Sequence, residues 1–129
     1  MKTIGIGVDI VHNKRINKLI KNKNFINRTF AKSEIINSEK TFNKVNYFAK
    51  RFAAKESLVK AIGSGFRDGI NLKDIEISNN KFGKPFYLIN NKIIKFIIKK
   101  IKIKNFELFL SISDEKEYSV AFTIIQKKK

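Results

Sequence analysis

Three side chains in this sequence stand where chemistry could happen: Asp9, Glu56 and Lys60. Asp9 lies in T-I-G-I-G-V-D-I-V, residues 3–11, where Ile4, Ile6, Val8 and Ile10 alternate with Gly5, Gly7, Asp9 and Val11. That period of two is the period of a strand. Glycines weaken a strand interior and mark close approach of another backbone or of a ligand. Asp9 is therefore a carboxylate on a cleared patch of sheet, unless it caps the next helix or pairs with a lysine. Glu56 and Lys60 lie in F-A-K-R-F-A-A-K-E-S-L-V-K-A-I-G-S-G, residues 48–65. Four residues apart on a helix, they are neighbours at the rim of an apolar stripe of Phe48, Phe52, Val59 and Ile62, with Leu58 at its margin. Such a pair is either a surface ion pair or part of a site. Magnesium and similar hard cations take oxygen ligands, commonly one or two carboxylates plus substrate phosphates. Asp9 and Glu56 suit that role if the fold brings them to one cleft.

The elements that must position them follow from pattern and punctuation. Residues 13–22 read as a short amphipathic helix with Asn13 as its cap and Ile16, Leu19 and Ile20 facing inward. Phe25, Ile26 and Phe30 suggest a turn or two of helix, and Ser33 to Thr41 another short helix capped by Ser33. Asn43 or Asn46 opens the long helix, placed at 44–62 and stopped by Gly63-Ser64-Gly65. Beyond it come a strand at 73–78, a turn at Asn79-Asn80, a strand at 86–89 after Gly83-Lys84-Pro85, and a helix at 91–101. Strands at 105–113 and 118–125 form the clearest hairpin, and 127–129 reads as a frayed basic tail. With no internal linker, this is one domain over 1–126. The order implies an α+β fold, a largely antiparallel sheet packed on one long helix and several short ones.

Composition narrows the function. The chain of 129 residues has the size of a single domain, and 43% hydrophobic content is enough for a core. No apolar run is long enough to span a bilayer, and Asp9 interrupts the start where a signal peptide would be apolar, so the expected location is cytoplasmic without membrane insertion. There is no cysteine, and His12 is the single histidine, which excludes disulfides, thiolate sites and multi-histidine zinc sites. The formal charge of +17 invites an acidic partner. Much of the lysine excess also fits the Lys, Asn and Ile bias of an A/T-rich genome. Against that background Arg15, Arg28, Arg51 and Arg67 are the better candidates for specific anion contacts.

Four segments together resemble the holo-[acyl-carrier-protein] synthases, the short branch of the 4′-phosphopantetheinyl transferases. They are G-I-G-V-D-I-V (5–11) with Arg15-Ile16; R-F-A-A-K-E-S (51–57) with Lys60-Ala61 and Gly63-Ser64-Gly65; D-I-E-I (74–77) with Gly83-Lys84-Pro85; and L-S-I-S (110–113) with Tyr118 and Ala121. The resemblance implies transfer of 4′-phosphopantetheine from coenzyme A to a serine of an apo acyl carrier protein, releasing adenosine 3′,5′-bisphosphate. It implies magnesium bound by Asp9 and Glu56, which also holds the pyrophosphate. Lys60 would contact a phosphate oxygen, and Glu56 could help deprotonate the serine. It implies coenzyme A contacts at Gly63, Ser64, Gly65, Gly83, Lys84 and Pro85, where the plain alternative is a turn that needs glycine. Arg15 and Arg28 would dock the acidic carrier protein. The family is typically a homotrimer with sites between subunits.

Two positions depart from the family pattern. Asp114 stands where many members have a histidine, and His12 where many have a glutamate. Neither touches Asp9, Glu56 or Lys60. Two competing readings are a small basic RNA-binding protein, supported by charge alone, and an inert relative that only binds the carrier protein. Phenylalanines at core-periodic positions and the absence of a nucleic-acid motif weigh against the first. The presence of Asp9, Glu56 and Lys60 weighs against the second.

Overall fold

A computed structural model describes residues 2–63 and 69–129. The strand expected at 3–11 is β1 (Lys2–His12). It leads into three short helices, α1 (Asn13–Leu19), α2 (Lys23–Thr29) and α3 (Lys32–Ser38), and then the long α4 (Lys44–Ile62). A single 3-10 turn (Leu72–Asp74) precedes β2 (Glu76–Asn79) and β3 (Pro85–Leu88). Helix α5 (Asn91–Ile101) and strands β4 (Phe106–Asp114) and β5 (Tyr118–Lys127) complete the chain. Strands β1, β5 and β4 form one antiparallel sheet in that order, and β2 pairs with β3 in a second. The expected α+β class therefore stands, with every strand pair antiparallel. Among the described residues no helix is long and apolar enough to cross a membrane.

Helix α4 is what the sheet is built against. Asn43 Oδ1 accepts the amide of Asn46 at 3.1 Å at one end, and Gly63 closes the other with φ +86°. Only Gly tolerates that left-handed conformation without strain. The helix departs from the expected one-sided stripe. From Tyr47 to Ala61 it is buried on nearly every side, Leu58 fully so, and only Lys50, Glu56 and Lys60 are not. The small residues Ala49, Ala53, Ala54, Ser57 and Ala61 let the sheet and flanking elements close in around it. The glycines of β1 answer to the same helix. A Cβ on Gly5 would lie 2.0 Å from the Ala61 carbonyl oxygen, and one on Gly7 would lie 1.9 Å from that of Ser57. The strand is cleared for another backbone, the first of the two readings its glycines allowed.

The opposite face of β1 points outward. Ile6, Val8 and Ile10 are more than half exposed, and Phe109 and Phe122 on the neighbouring strands extend the same face.

Other boundaries differ for local reasons. Helix α1 ends at Leu19 and not at 22, because Asn22 serves the next helix: its Oδ1 accepts the amides of Asn24 and Phe25. Ser33 does not cap α3. That helix begins at Lys32, the Glu34 carboxylate takes the Ala31 amide at 2.8 Å, and the Ser33 hydroxyl donates to Glu76 at 2.5 Å. Residues 72–74 form the 3-10 turn in place of strand, with the Asp74 carboxylate accepting the Asn71 amide at 2.9 Å. The tail is tied down where fraying was expected: Lys127 pairs with both Lys2 and Phe106, and the Lys128 amide donates to Asn105 O at 2.9 Å.

Candidate active site

Strand β1 and helix α4 bring the three sequence candidates together. The Lys60 ammonium donates to Asp9 Oδ1 at 3.0 Å and to the Val8 carbonyl at 3.1 Å. Periodicity paired Lys60 with Glu56; its direct partner is Asp9, across the glycine-cleared contact. The Asp9 side chain is 14% exposed and that of Lys60 55%. Glu56 is half-buried on the same stretch of helix, and burial pushes its carboxyl above the ordinary value of 4.5. The negative charge of Asp9 pushes it further up, while Lys60 and Arg15 oppose. Glu56 thus feels both its burial and the charge of Asp9, which is itself paired with Lys60.

That donor set fits a hard divalent cation: oxygen ligands only, two of them carboxylates. Among the described residues no third carboxylate or histidine joins the pair, so further ligands would come from substrate or solvent.

Glu56 also lies on the wall of a cleft of about 320 Å³ lined by Phe25, Arg28, Thr29, Phe52, Ile70, Asn71 and Leu72. Arg28 lies 5.7 Å from the Phe25 ring centre and Arg15 lies 5.8 Å from that of Phe52. Both arginines are exposed, so an aromatic floor is flanked by two guanidinium groups.

Residues 5–123 match the model of the 4′-phosphopantetheinyl transferase superfamily. The chain is 56% identical to the holo-[acyl-carrier-protein] synthase of Pelagibacter ubique, over 99% of this chain and 100% of that one. The chain belongs to the 4′-phosphopantetheinyl transferase superfamily. It is also 46% identical to the holo-[acyl-carrier-protein] synthase of Ehrlichia chaffeensis, over 95% of each chain. The crystal structure of the Neisseria meningitidis synthase superposes with a TM-score of 0.86 at 35% identity, covering 97% of this chain and 99% of that one. A Bacillus anthracis synthase in complex with CoA (3′,5′-ADP) superposes with a TM-score of 0.81 at 28% identity, covering 99% and 100%.

Gly83, Lys84 and Pro85 line other clefts of the transferase chain. Gly83 and Pro85 line a second cleft, of about 420 Å³, with Lys40, Lys50, Arg51, Asn79 and Asp114. Lys84 and Pro85 border a third, against Phe86, Phe109 and Phe122. Gly83 is needed by its turn: its φ is +84°, and Asn80 Oδ1 accepts the amides of Phe82 and Lys84. Gly63 is the helix stop; Ser64, Gly65 and Arg67 lie outside the described residues. Asp114 accepts a hydrogen bond from Asn46 Nδ2 at 2.8 Å, and His12 meets Tyr118 edge-on at 5.0 Å.

Periodicity left two buried charged features of this transferase out. Arg51 is buried with its guanidinium 3.6 Å from the Tyr47 ring centre and 2.8 Å from Asn79 Oδ1, while its Nε has no partner. Burial lowers its pKa, opposed by Tyr47 and Glu34. Its scarcity as an arginine was the available signal. The second is the fully buried pair Lys55 and Glu34, 2.6 Å apart, which no spacing rule reveals because the partners are on different helices.

Proposed function

We propose that the chain transfers the 4′-phosphopantetheine arm of coenzyme A to a serine hydroxyl of an apo acyl carrier protein, giving holo carrier protein and adenosine 3′,5′-bisphosphate. The observation that carries this reading is the convergence of Asp9, Glu56 and Lys60 where β1 meets α4. The serine oxygen bonds to the phosphorus of the pantetheine phosphate, the bridging P–O bond to the bisphosphate breaks, and the hydroxyl proton departs. Such transfers depend chiefly on positioning and on charge neutralisation. Asp9 and Glu56 would hold a magnesium ion, whose charge offsets that of the pyrophosphate. Lys60, bonded to Asp9 in the free chain, would turn its ammonium to a phosphate oxygen. Glu56, its carboxyl pKa raised by burial, would accept the serine proton directly or through a water.

The second cleft supports the bisphosphate end of coenzyme A, where Lys40, Lys50 and Arg51 supply positive charge. The arginine-flanked cleft beside Glu56 supports the acidic carrier protein, with Arg15 and Arg28 as its ion partners. The exposed apolar face of Ile6, Val8, Ile10, Phe109 and Phe122 supports a homotrimer in which neighbouring subunits complete one another's sites. A cytoplasmic setting accords with substrates of this kind. The RNA-binding alternative rests on charge alone.

The test is to incubate the chain with coenzyme A, magnesium and an apo carrier protein and to weigh the carrier by mass spectrometry. The expected outcome is a mass gain of one phosphopantetheine group, lost in EDTA. No gain, under conditions in which a known synthase modifies the same carrier, refutes the reading.

A further inference from the structure

Glu34 and Lys55 form a buried ion pair with every bond satisfied. Their side chains are 1% and 0% exposed. Glu34 Oε1 accepts from Lys55 Nζ at 2.6 Å and from the Ala31 amide at 2.8 Å, and Oε2 accepts from the Ile77 amide at 3.0 Å. The Lys55 ammonium spends its other two protons on the Leu72 carbonyl, at 3.2 Å, and the Ile75 carbonyl. One pair thus ties together the start of α3, the middle of α4, both ends of the 3-10 turn and the start of β2.

Stability alone does not account for such a pair. Removing two charges from water costs several kcal/mol per ion, and a buried pair can often be exchanged for apolar side chains without loss. What this pair provides is position. Lys55 precedes Glu56 on α4, and the carbonyl it grips belongs to Leu72, which with Ile70 and Asn71 forms the wall of the cleft facing Glu56. The Lys55 side chain thus sets the distance between α4 and that turn, the two sides of the cleft that carry Glu56 and Leu72.

We infer that Glu34 and Lys55 are positioning residues that set the width of the cleft beside Glu56, and through it the fit of the carrier protein. The inference rests on the assignment of that cleft to the carrier in the proposed function. The bisphosphate end of coenzyme A is assigned to the cleft of Lys40, Lys50 and Arg51. Glu34 reaches that cleft through the Ile77 amide and the Tyr47 hydroxyl, whereas Lys55 grips the wall of the carrier cleft at Leu72.

The test compares wild type with Glu34→Gln/Lys55→Met, which removes both charges together and leaves neither ion buried alone. At a temperature well below its melting point, the variant is expected to show a KM for apo carrier protein raised about tenfold, with a smaller rise in the KM for coenzyme A. A merely structural role would lower the melting temperature or the active fraction and move neither KM, and that outcome overturns the inference. Leu72→Ala alters the wall while leaving the pair in place, and is expected to raise the carrier KM in the same direction; an unchanged KM there also overturns it. Amide exchange provides a readout free of the activity. The Asp74 and Ile75 amides, bonded to Asn71 O and Leu72 O, are expected to exchange faster in the double variant while those of β1 and β5 are unchanged. If the wild type is inactive but these amides quicken, the proposed function fails and the clamp stands. If they do not quicken, the clamp fails.

Discussion

Adding one methyl group to β1 should disable the protein from a distance. In Gly7→Ala the new Cβ would lie 1.9 Å from the Ser57 carbonyl oxygen and 2.7 Å from the Ala61 amide nitrogen, whereas ordinary contact begins near 3.4 Å. Both neighbours are backbone of a helix buried nearly all round, so no side chain can swing away. The strand and helix must separate by about 1.5 Å, the shortfall between those two distances. Overpacking of this kind costs about 1–3 kcal/mol, and a backbone clash belongs at the upper end. A loss of about 3 kcal/mol corresponds to roughly 10 °C in melting temperature for a chain of this size. The same displacement separates Asp9 on β1 from Glu56 and Lys60 on α4. A misplacement of about 1 Å costs about 100-fold in rate, so kcat should fall by that order even where the variant is fully folded. The assays are a melting curve followed by carrier modification at a temperature well below the variant's midpoint. A variant that melts within 2 °C of wild type and keeps half its activity would refute the backbone contact. If only the KM for a substrate rose, the glycine would be clearing space for a ligand and not for α4.

Three other substitutions probe separate parts of the argument. Burial raises the Glu56 pKa above 4.5, so the folded chain holds this proton more readily than the unfolded chain, and stability falls as pH rises through the raised value. Glu56→Gln should therefore abolish turnover yet melt at or above wild type near neutral pH in EDTA, the gap closing as pH falls toward 4.5; a variant that melts lower near neutral pH would contradict this sign. Tyr87 donates to Ala54 O at 2.7 Å and lies 2.8 Å from Thr123 Oγ1, and burial pushes its hydroxyl up to about 12. Tyr87→Phe should cost about 1–2 kcal/mol in a denaturant titration, independent of pH up to 10. Asp114 places a carboxylate on the cleft of Lys40, Lys50 and Arg51. Asp114→Asn should tighten adenosine 3′,5′-bisphosphate a few-fold by calorimetry, and weaker binding would remove that ligand from this cleft.

How much was legible in the sequence depended on how local the cause was. Helix α4 could be bounded from Asn43 and Gly63 because capping is settled within a few residues. Helix α5 and the β4–β5 hairpin carried clean periods of 3.6 and 2. Charged residues buried by distant partners were illegible. Lys55 reads as one more surface lysine until Glu34, 21 residues away, meets it in the core, and Arg51 needs Asn79, 28 residues away. The site lay between these cases. Glu56 and Lys60 shared a helix face by spacing, but that Lys60 bonds Asp9 depends on how closely strand and helix approach. Asn22 was assigned to the wrong helix because an asparagine can end one helix or begin the next.

The two glycines of β1 also determine how that strand can be aligned. Its side chains alternate between no atoms and large aliphatics: Gly5 and Gly7 against α4, Ile6, Val8 and Ile10 on the outer face. A shift of one residue exchanges the faces, driving Ile6 into the carbonyls that barely clear a hydrogen. Mispairing with β5 is therefore excluded by collision as well as by lost burial. The one irregularity in the ladder, between Thr3 and Gly5, lies upstream of both glycines. Slack at the start of the strand is absorbed before Gly5, and the height of Asp9 above α4 is fixed by residues that have no side chain at all.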